Sequence, residues 1–126
     1  MQTIYVIKKT RTNNFNDPDV ADKIGMMWTE VQNLQQTNAT FYGVYEEYES
    51  DYQGDYTVSV ATSIRPTETA KEIMIPDQRY QVFDVETDVF ETWQQIWNTP
   101  LDRSYLFDYE MYLPDGTIQI YIGLNA

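Results

Sequence analysis

"YLFDYEMYLPDGTIQIYIG", residues 105–123, decides the fold. Ile118, Ile120 and Ile122 alternate with other residues and "PDG" is turn chemistry, so the run predicts two antiparallel strands around an Asp-Gly turn. Side chains alternate faces along a strand. Asp108, Glu110 and Tyr112 are therefore expected on one face, with Tyr105, Phe107, Tyr109 and Met111 on the other. Two carboxylates inside so aromatic a hairpin need an explanation, because a buried acid is costly unless it is hydrogen-bonded or matched by a cation.

Working outward, "TIYVIKK" reads as an opening strand, followed by a polar loop and by "DPDV", where Asp17 is expected to cap a helix with Pro18 at its first position. Val20, Ile24, Met27, Val31 and Leu34 form that helix's apolar stripe. "TFYGVYEEY" and "YTVSVATSI" alternate as strands joined by the acidic turn "ESDYQGD". "RPTETAK" is the expected connector between halves, and "EIMI" and "RYQVFDV" are short strands broken at Pro76-Asp77. Val89, Trp93, Ile96 and Trp97 stripe a second helix that ends before Pro100.

The halves repeat. Ile24, Trp28 and Val31 match Val89, Trp93 and Ile96 at an offset of 65, while Tyr45, Glu46 and Tyr48 match Tyr109, Glu110 and Tyr112 at an offset of 64. Each half reads β-α-β-β. The expected fold is α+β, with an antiparallel sheet and two helices framing a central cleft. One domain over 1–126 is expected, with pseudo-repeats at about 1–64 and 71–126.

Composition narrows the function classes. Zero Cys and zero His remove thiol chemistry, disulfides and the commonest acid/base group and metal ligand, so no cofactor or metal is expected. A net charge of −12 opposes nucleic acid and anionic membranes. There is no apolar run of about 18 residues, and the basic residues of "MQTIYVIKKTR" follow the apolar ones. A soluble, cytoplasmic protein is the expectation. "ESDYQGDY" lacks the spacing of a calcium loop, and no P-loop, dinucleotide fingerprint or nucleophile elbow is present.

"YEEYESDYQGDYTVSVA", "IPDQRYQVF", "FETWQQIW" and above all "RSYLFDYEMY…IQIYIG" resemble the GyrI-like effector-binding family, most closely its stand-alone integron cassette-encoded members. The run Asp108-Tyr109-Glu110-Met111-Tyr112 is the most specific part. The resemblance implies a duplicated β-α-β-β fold and a pocket for lipophilic organic cations with a strand glutamate as counter-charge, which maps onto Glu110. One departure is Gln78, where the family usually has a glycine, so the turn there is expected to differ in shape. Relatives fused to a DNA-binding segment are transcription regulators; this chain opens on its first strand, and no DNA-reading role is expected within it.

The candidate ligand-binding residues are Glu110, Tyr112, Tyr48, Trp28, Trp97 and Tyr80. Tyr48 and Tyr112 share faces with Glu46 and Glu110, while Trp28 and Trp97 lie on the flanks of their helix stripes, towards a cleft. Trp93 sits inside its stripe as core. Asp108 is weighed as an ion-pair partner of Arg103 rather than a ligand contact. For each aromatic, ordinary packing is the competing reading. Aromatics around one carboxylate suit an organic cation, each face contributing roughly 0.5–2 kcal/mol. No catalytic residue is assigned. Two other classes stay open: a hydrolase using glutamate and tyrosine, and a gyrase-binding interaction module.

Overall fold

The computed structural model describes residues 2–34, 36–51 and 53–125; Tyr52 of the acidic turn lies outside them. The elements run β1 (Gln2–Thr12), α1 (Val20–Asn33), β2 (Phe41–Glu46), β3 (Tyr56–Thr62), β4 (Glu72–Ile75), β5 (Arg79–Asp84), α2 (Val89–Trp97), β6 (Arg103–Tyr112) and β7 (Ile118–Leu124). They form the α+β fold expected, with the units β1-α1-β2-β3 and β5-α2-β6-β7. The strands make one sheet of order β4-β1-β3-β2-β6-β7-β5. Every pairing in it is antiparallel. The units meet at the β2–β6 pair, and β4 is an addition on the outer edge of β1.

The sheet must curl. Its edge strands β4 and β5 are joined by only residues 76–78, a link that spans at most about 14 Å. Six flat inter-strand spacings would put those edges about 29 Å apart. The result is a half-barrel. Ile4, Tyr42, Val44, Ile75, Phe107 and Tyr109 pack on its concave side, with Tyr80 and Tyr121 against them. The helices cover the convex side: Met27 and Val31 of α1 pack on Tyr56, Val58 and Val60, and Trp93 and Ile96 of α2 on Ile120 and Ile122. Covered on both faces, β3 is buried at every position.

The helix ends depart in part from expectation. α1 begins at Val20 after Asp19, which makes no side-chain cap bond. Asp17 instead organises the preceding loop. It accepts from the Asp19 N–H at 2.9 Å and the Thr12 hydroxyl at 2.7 Å, and pairs with Lys23 at 2.5 Å. Held chiefly by the Lys23 bond, its carboxyl sits at about 2. α2 is capped by Asp88, whose carboxylate accepts from the Glu91 N–H at 2.9 Å. No helix among the described residues is long and apolar enough to cross a membrane.

The strand repeat differs by one residue from its sequence reading. Tyr45 lies opposite Asp108, and Gly43 opposite Glu110, so Tyr45 shares the convex face with Glu110 and Glu46 points to the concave one. An offset of 64 swaps faces because side chains alternate with a period of two. An offset of 65, that of the helices, preserves them.

Candidate functional site

Between the two helices and the central β2–β6 pair lies a cavity of about 560 Å³. Ile24 and Trp28 of α1, Trp93 and Trp97 of α2, and Tyr45, Tyr112 and Glu110 of the sheet all line it. Its chemistry centres on Glu110, which is 3% exposed. One carboxylate oxygen, Oε2, accepts from the Tyr45 hydroxyl at 2.8 Å and the Trp93 indole N–H at 2.7 Å; the other, Oε1, accepts from the Tyr112 hydroxyl at 2.7 Å. All three donors are neutral. Burial pushes the Glu110 carboxyl above its ordinary range, and the bonds from Trp93, Tyr112 and Tyr45 pull against that rise. Burial and the neighbouring carboxylate in turn push the Tyr45 and Tyr112 hydroxyls up, so both stay protonated donors.

Backbone space makes this arrangement possible. Gly43 faces Glu110 across the β2–β6 ladder, and a Cβ there would stand 2.5 Å from Oε1. The glycine leaves room for the carboxylate to lie flat against the neighbouring strand. Trp28 stands edge-on to Tyr112 with ring centroids 4.7 Å apart, and Trp93 edge-on to Tyr45 at 5.2 Å.

The second acid of the hairpin has a different partner. Asp108 is fully buried, accepts from the Gly123 N–H at 2.7 Å and the Tyr48 hydroxyl at 2.5 Å, and forms an ion pair with Arg103 at 2.9 Å. This is the pair weighed from the sequence. Arg103 also lines the cavity, but its charge is matched by Asp108.

Glu110, Tyr112, Tyr48, Trp28 and Trp97 are thus brought to one cavity. Tyr80 is not. It lies on the concave side, packs edge-on to Tyr109 and Tyr121, and donates to the Pro76 carbonyl at 2.8 Å. Gln78 is on that side too, its amide donating to the Phe107 carbonyl at 3.0 Å and accepting from the Ser104 hydroxyl at 3.1 Å, so the departure from the glycine pattern leaves the helix-side cavity untouched.

Two face assignments fail for one reason, a residue in the left-handed region. Glu47, at φ 53°, swings Tyr48 away from the face of Glu46. Tyr105, also at φ 53°, sits where the β6–β7 register shifts, and the bulge carries its ring to Tyr48, 5.8 Å away, and under the Arg103 guanidinium at 4.4 Å. Trp93, Tyr45 and Gly43 were missed as site residues. The signal for Trp93 was its polar N–H: a buried indole needs an acceptor, and the hairpin acids were the available ones.

Among the described residues no group of carboxylates could hold a metal ion. The model of the GyrI-like small molecule binding domain matches residues 2–123. The crystal structure of integron cassette protein VCH_CASS2, from the mobile metagenome of Vibrio cholerae, is similar with a TM-score of 0.82 at 22% identity, covering 98% of this chain and 90% of that one. At that identity the likeness is one of fold. No curated protein matches the sequence.

Proposed function

Because the chain belongs to the GyrI-like small molecule binding domain family, we propose that its helix-side cavity binds lipophilic or amphipathic organic cations, with Glu110 as counter-charge and Tyr112, Tyr48, Trp28 and Trp97 as walls. The observation that carries this is the state of Glu110: buried, held by three neutral donors, and with no cationic partner among the described residues. A carboxylate offers about four acceptor positions. Three are filled here, and the remaining charge faces an aromatic cavity in which the basic side chain is already neutralised. A cation entering that space gains Coulomb attraction and aromatic contact in a medium of low dielectric.

Binding rather than turnover is the reading, since Tyr45, Trp93 and Tyr112, the donors that reach Glu110, are committed to its carboxylate rather than aimed at a developing oxyanion. The protein then acts as a sensor or sequestering module, with residues 1–126 as one unit whose halves frame the cavity.

Calorimetric titration with one lipophilic cation and its neutral isostere tests it. Glu110→Gln keeps the shape and removes the charge, so cation affinity is expected to fall by about 2–5 kcal/mol while the neutral compound binds no worse. Glu46→Gln, on the opposite face, leaves both affinities unchanged. Equal losses for the cation and the isostere in Glu110→Gln, or equal wild-type binding of an anionic analogue, would sink the cation reading.

A further inference from the structure

The two halves of the chain treat their paired tryptophans unequally. Trp28 of α1 is the repeat counterpart of Trp93 of α2 at an offset of 65, and both rings line the helix-side cavity. The Trp93 indole N–H donates to Glu110 at 2.7 Å. At the same offset Glu110 itself corresponds to Tyr45, whose hydroxyl is turned to Glu110 as a donor. The second half thus supplies its tryptophan with an acceptor, and the first half does not. The Trp28 N–H makes no hydrogen bond among the described residues.

That N–H can be reached. Among the described residues, the side-chain polar atoms that are both sealed from solvent and unpartnered are Ser59 Oγ and Arg103 Nε. The nitrogen of the half-buried Trp28 is not one of them, so it is open. The ring also stands at the charged end of the cavity. A Cβ on Gly43 would lie 3.5 Å from Trp28 Cζ2 and 2.5 Å from Glu110 Oε1, so those two atoms are within about 6 Å of each other. Cζ2 and Nε1 are bonded to the same ring carbon and share one edge of the indole. The tyrosine hydroxyls that line the cavity are all spent: Tyr45 and Tyr112 on Glu110, Tyr48 on Asp108 and Tyr56 on Asn14. A ligand that fills this end shuts the Trp28 N–H off from water, and it loses affinity unless it returns the hydrogen bond.

We propose that Trp28 is a specificity-determining donor of this cavity, and that the ligand is an organic cation carrying an acceptor oxygen, as in an ester, amide or ether, a few bonds from its charged centre. The charge faces Glu110, and the oxygen accepts from Trp28 Nε1. This rests on the cation reading of the same cavity and narrows it. A cation with a purely hydrocarbon frame leaves the Trp28 N–H unmet. A neutral ester satisfies Trp28 without answering the charge of Glu110.

Matched probes separate the two requirements. Benzoylcholine has both charge and ester; phenylbutyltrimethylammonium keeps the charge and the chain length without the oxygens; dimethylbutyl benzoate, the neutral carbon isostere of benzoylcholine, keeps the ester without the charge. The readout is the indole N–H resonances of the isotope-labelled protein, with that of Trp28 assigned by its loss in Trp28→Phe. Both esters are expected to move the Trp28 proton downfield, and the phenylbutyl ion is not. In calorimetric titration Trp28→Phe, folded by circular dichroism, should weaken benzoylcholine about three- to tenfold more than it weakens the phenylbutyl ion, the worth of one hydrogen bond. The same downfield shift with the phenylbutyl ion, equal losses of the two ions in Trp28→Phe, or no binding of either ester would overturn the assignment. Equal wild-type affinity for benzoylcholine and its neutral isostere, with the Trp28 shift retained, would overturn the cation reading of the cavity and support the Trp28 donor.

Discussion

Glu110 is held by what its neighbours lack as much as by what they donate. Gly43 supplies the missing Cβ, and the 2.5 Å that a methyl would leave to Oε1 is far inside contact distance. Gly43→Ala must push the carboxylate off at least one of its three donors. The expected cost is about 1–3 kcal/mol of stability, as for overpacking a core. Cation affinity should fall more than that of a neutral isostere. Urea melts alongside the two titrations check this; a variant with wild-type stability and wild-type cation affinity would mean that Glu110 relaxes freely. At this scale the placement of Tyr112, Trp28 and Trp97 at the cavity was legible because face alternation and helix stripes are arithmetic on the sequence, whereas the part given to Glu110 came from the family resemblance. Gly43 and Tyr45 were not legible, because their roles depend on which strand lies beside β6, and nothing local in the chain states that β2 does; Trp93 had its signal in the indole N–H, which needs an acceptor when buried.

Elements add a second kind of information, where the chain breaks its own period. β6 was legible as a strand, yet its first half carries a bulge at Tyr105 that no alternation count reveals. That bulge lets the Arg103 side chain meet Asp108 five positions on, where a regular strand would hold the two apart and on opposite faces. The side chains of this pair are 4% and 0% exposed, which removes it from the class of surface ion pairs worth little. Arg103→Leu or Asp108→Asn alone leaves an uncompensated buried group and is expected to cost about 3–5 kcal/mol. The double variant should cost clearly less than the sum of the two. Urea unfolding of the three proteins decides it, and strictly additive losses would show that the two side chains act independently. The shift of the strand repeat from 64 to 65 is likewise invisible to an identity match. Tyr-Glu-x-Tyr matches Tyr-Glu-x-Tyr by identity, but a strand is read by faces, and the β2–β6 register puts Tyr45 on the face of Glu110.

At the scale of the whole molecule, Tyr45, Tyr48, Tyr56, Tyr109 and Tyr112 hold their hydroxyls where burial resists ionisation. Tyr45 and Tyr48 donate to buried carboxylates, and the ionisation of Tyr45, Tyr48, Tyr56, Tyr109 and Tyr112 is pushed well above 10, first by burial and then by neighbouring carboxylates or tyrosines. In the unfolded chain the same groups titrate near 10. The folded protein therefore binds more protons than the unfolded one in the alkaline range. The stability that these groups contribute is fully present below pH ~10 and is lost as pH rises through the folded values, with a slope of up to about 1.4 kcal/mol per pH unit for each tyrosine still protonated in the fold. Glu110 has the same sign in a lower window: its raised carboxyl favours the folded state at acid pH, and that share is lost as pH rises through its folded value. Asp17 has the opposite sign, contributing above 3.8 and losing that contribution as pH falls towards about 2. A chain with net charge −12 also gains further negative charge as tyrosines ionise, which adds self-repulsion on the alkaline side. The expected result is cooperative alkaline unfolding, in which tyrosinate absorbance and loss of near-ultraviolet circular dichroism rise together. Ionisation of most tyrosines near pH 10 with the dichroism unchanged would mean that the aromatic floor of the cavity is open to water, and the low-dielectric setting proposed for Glu110 would go with it.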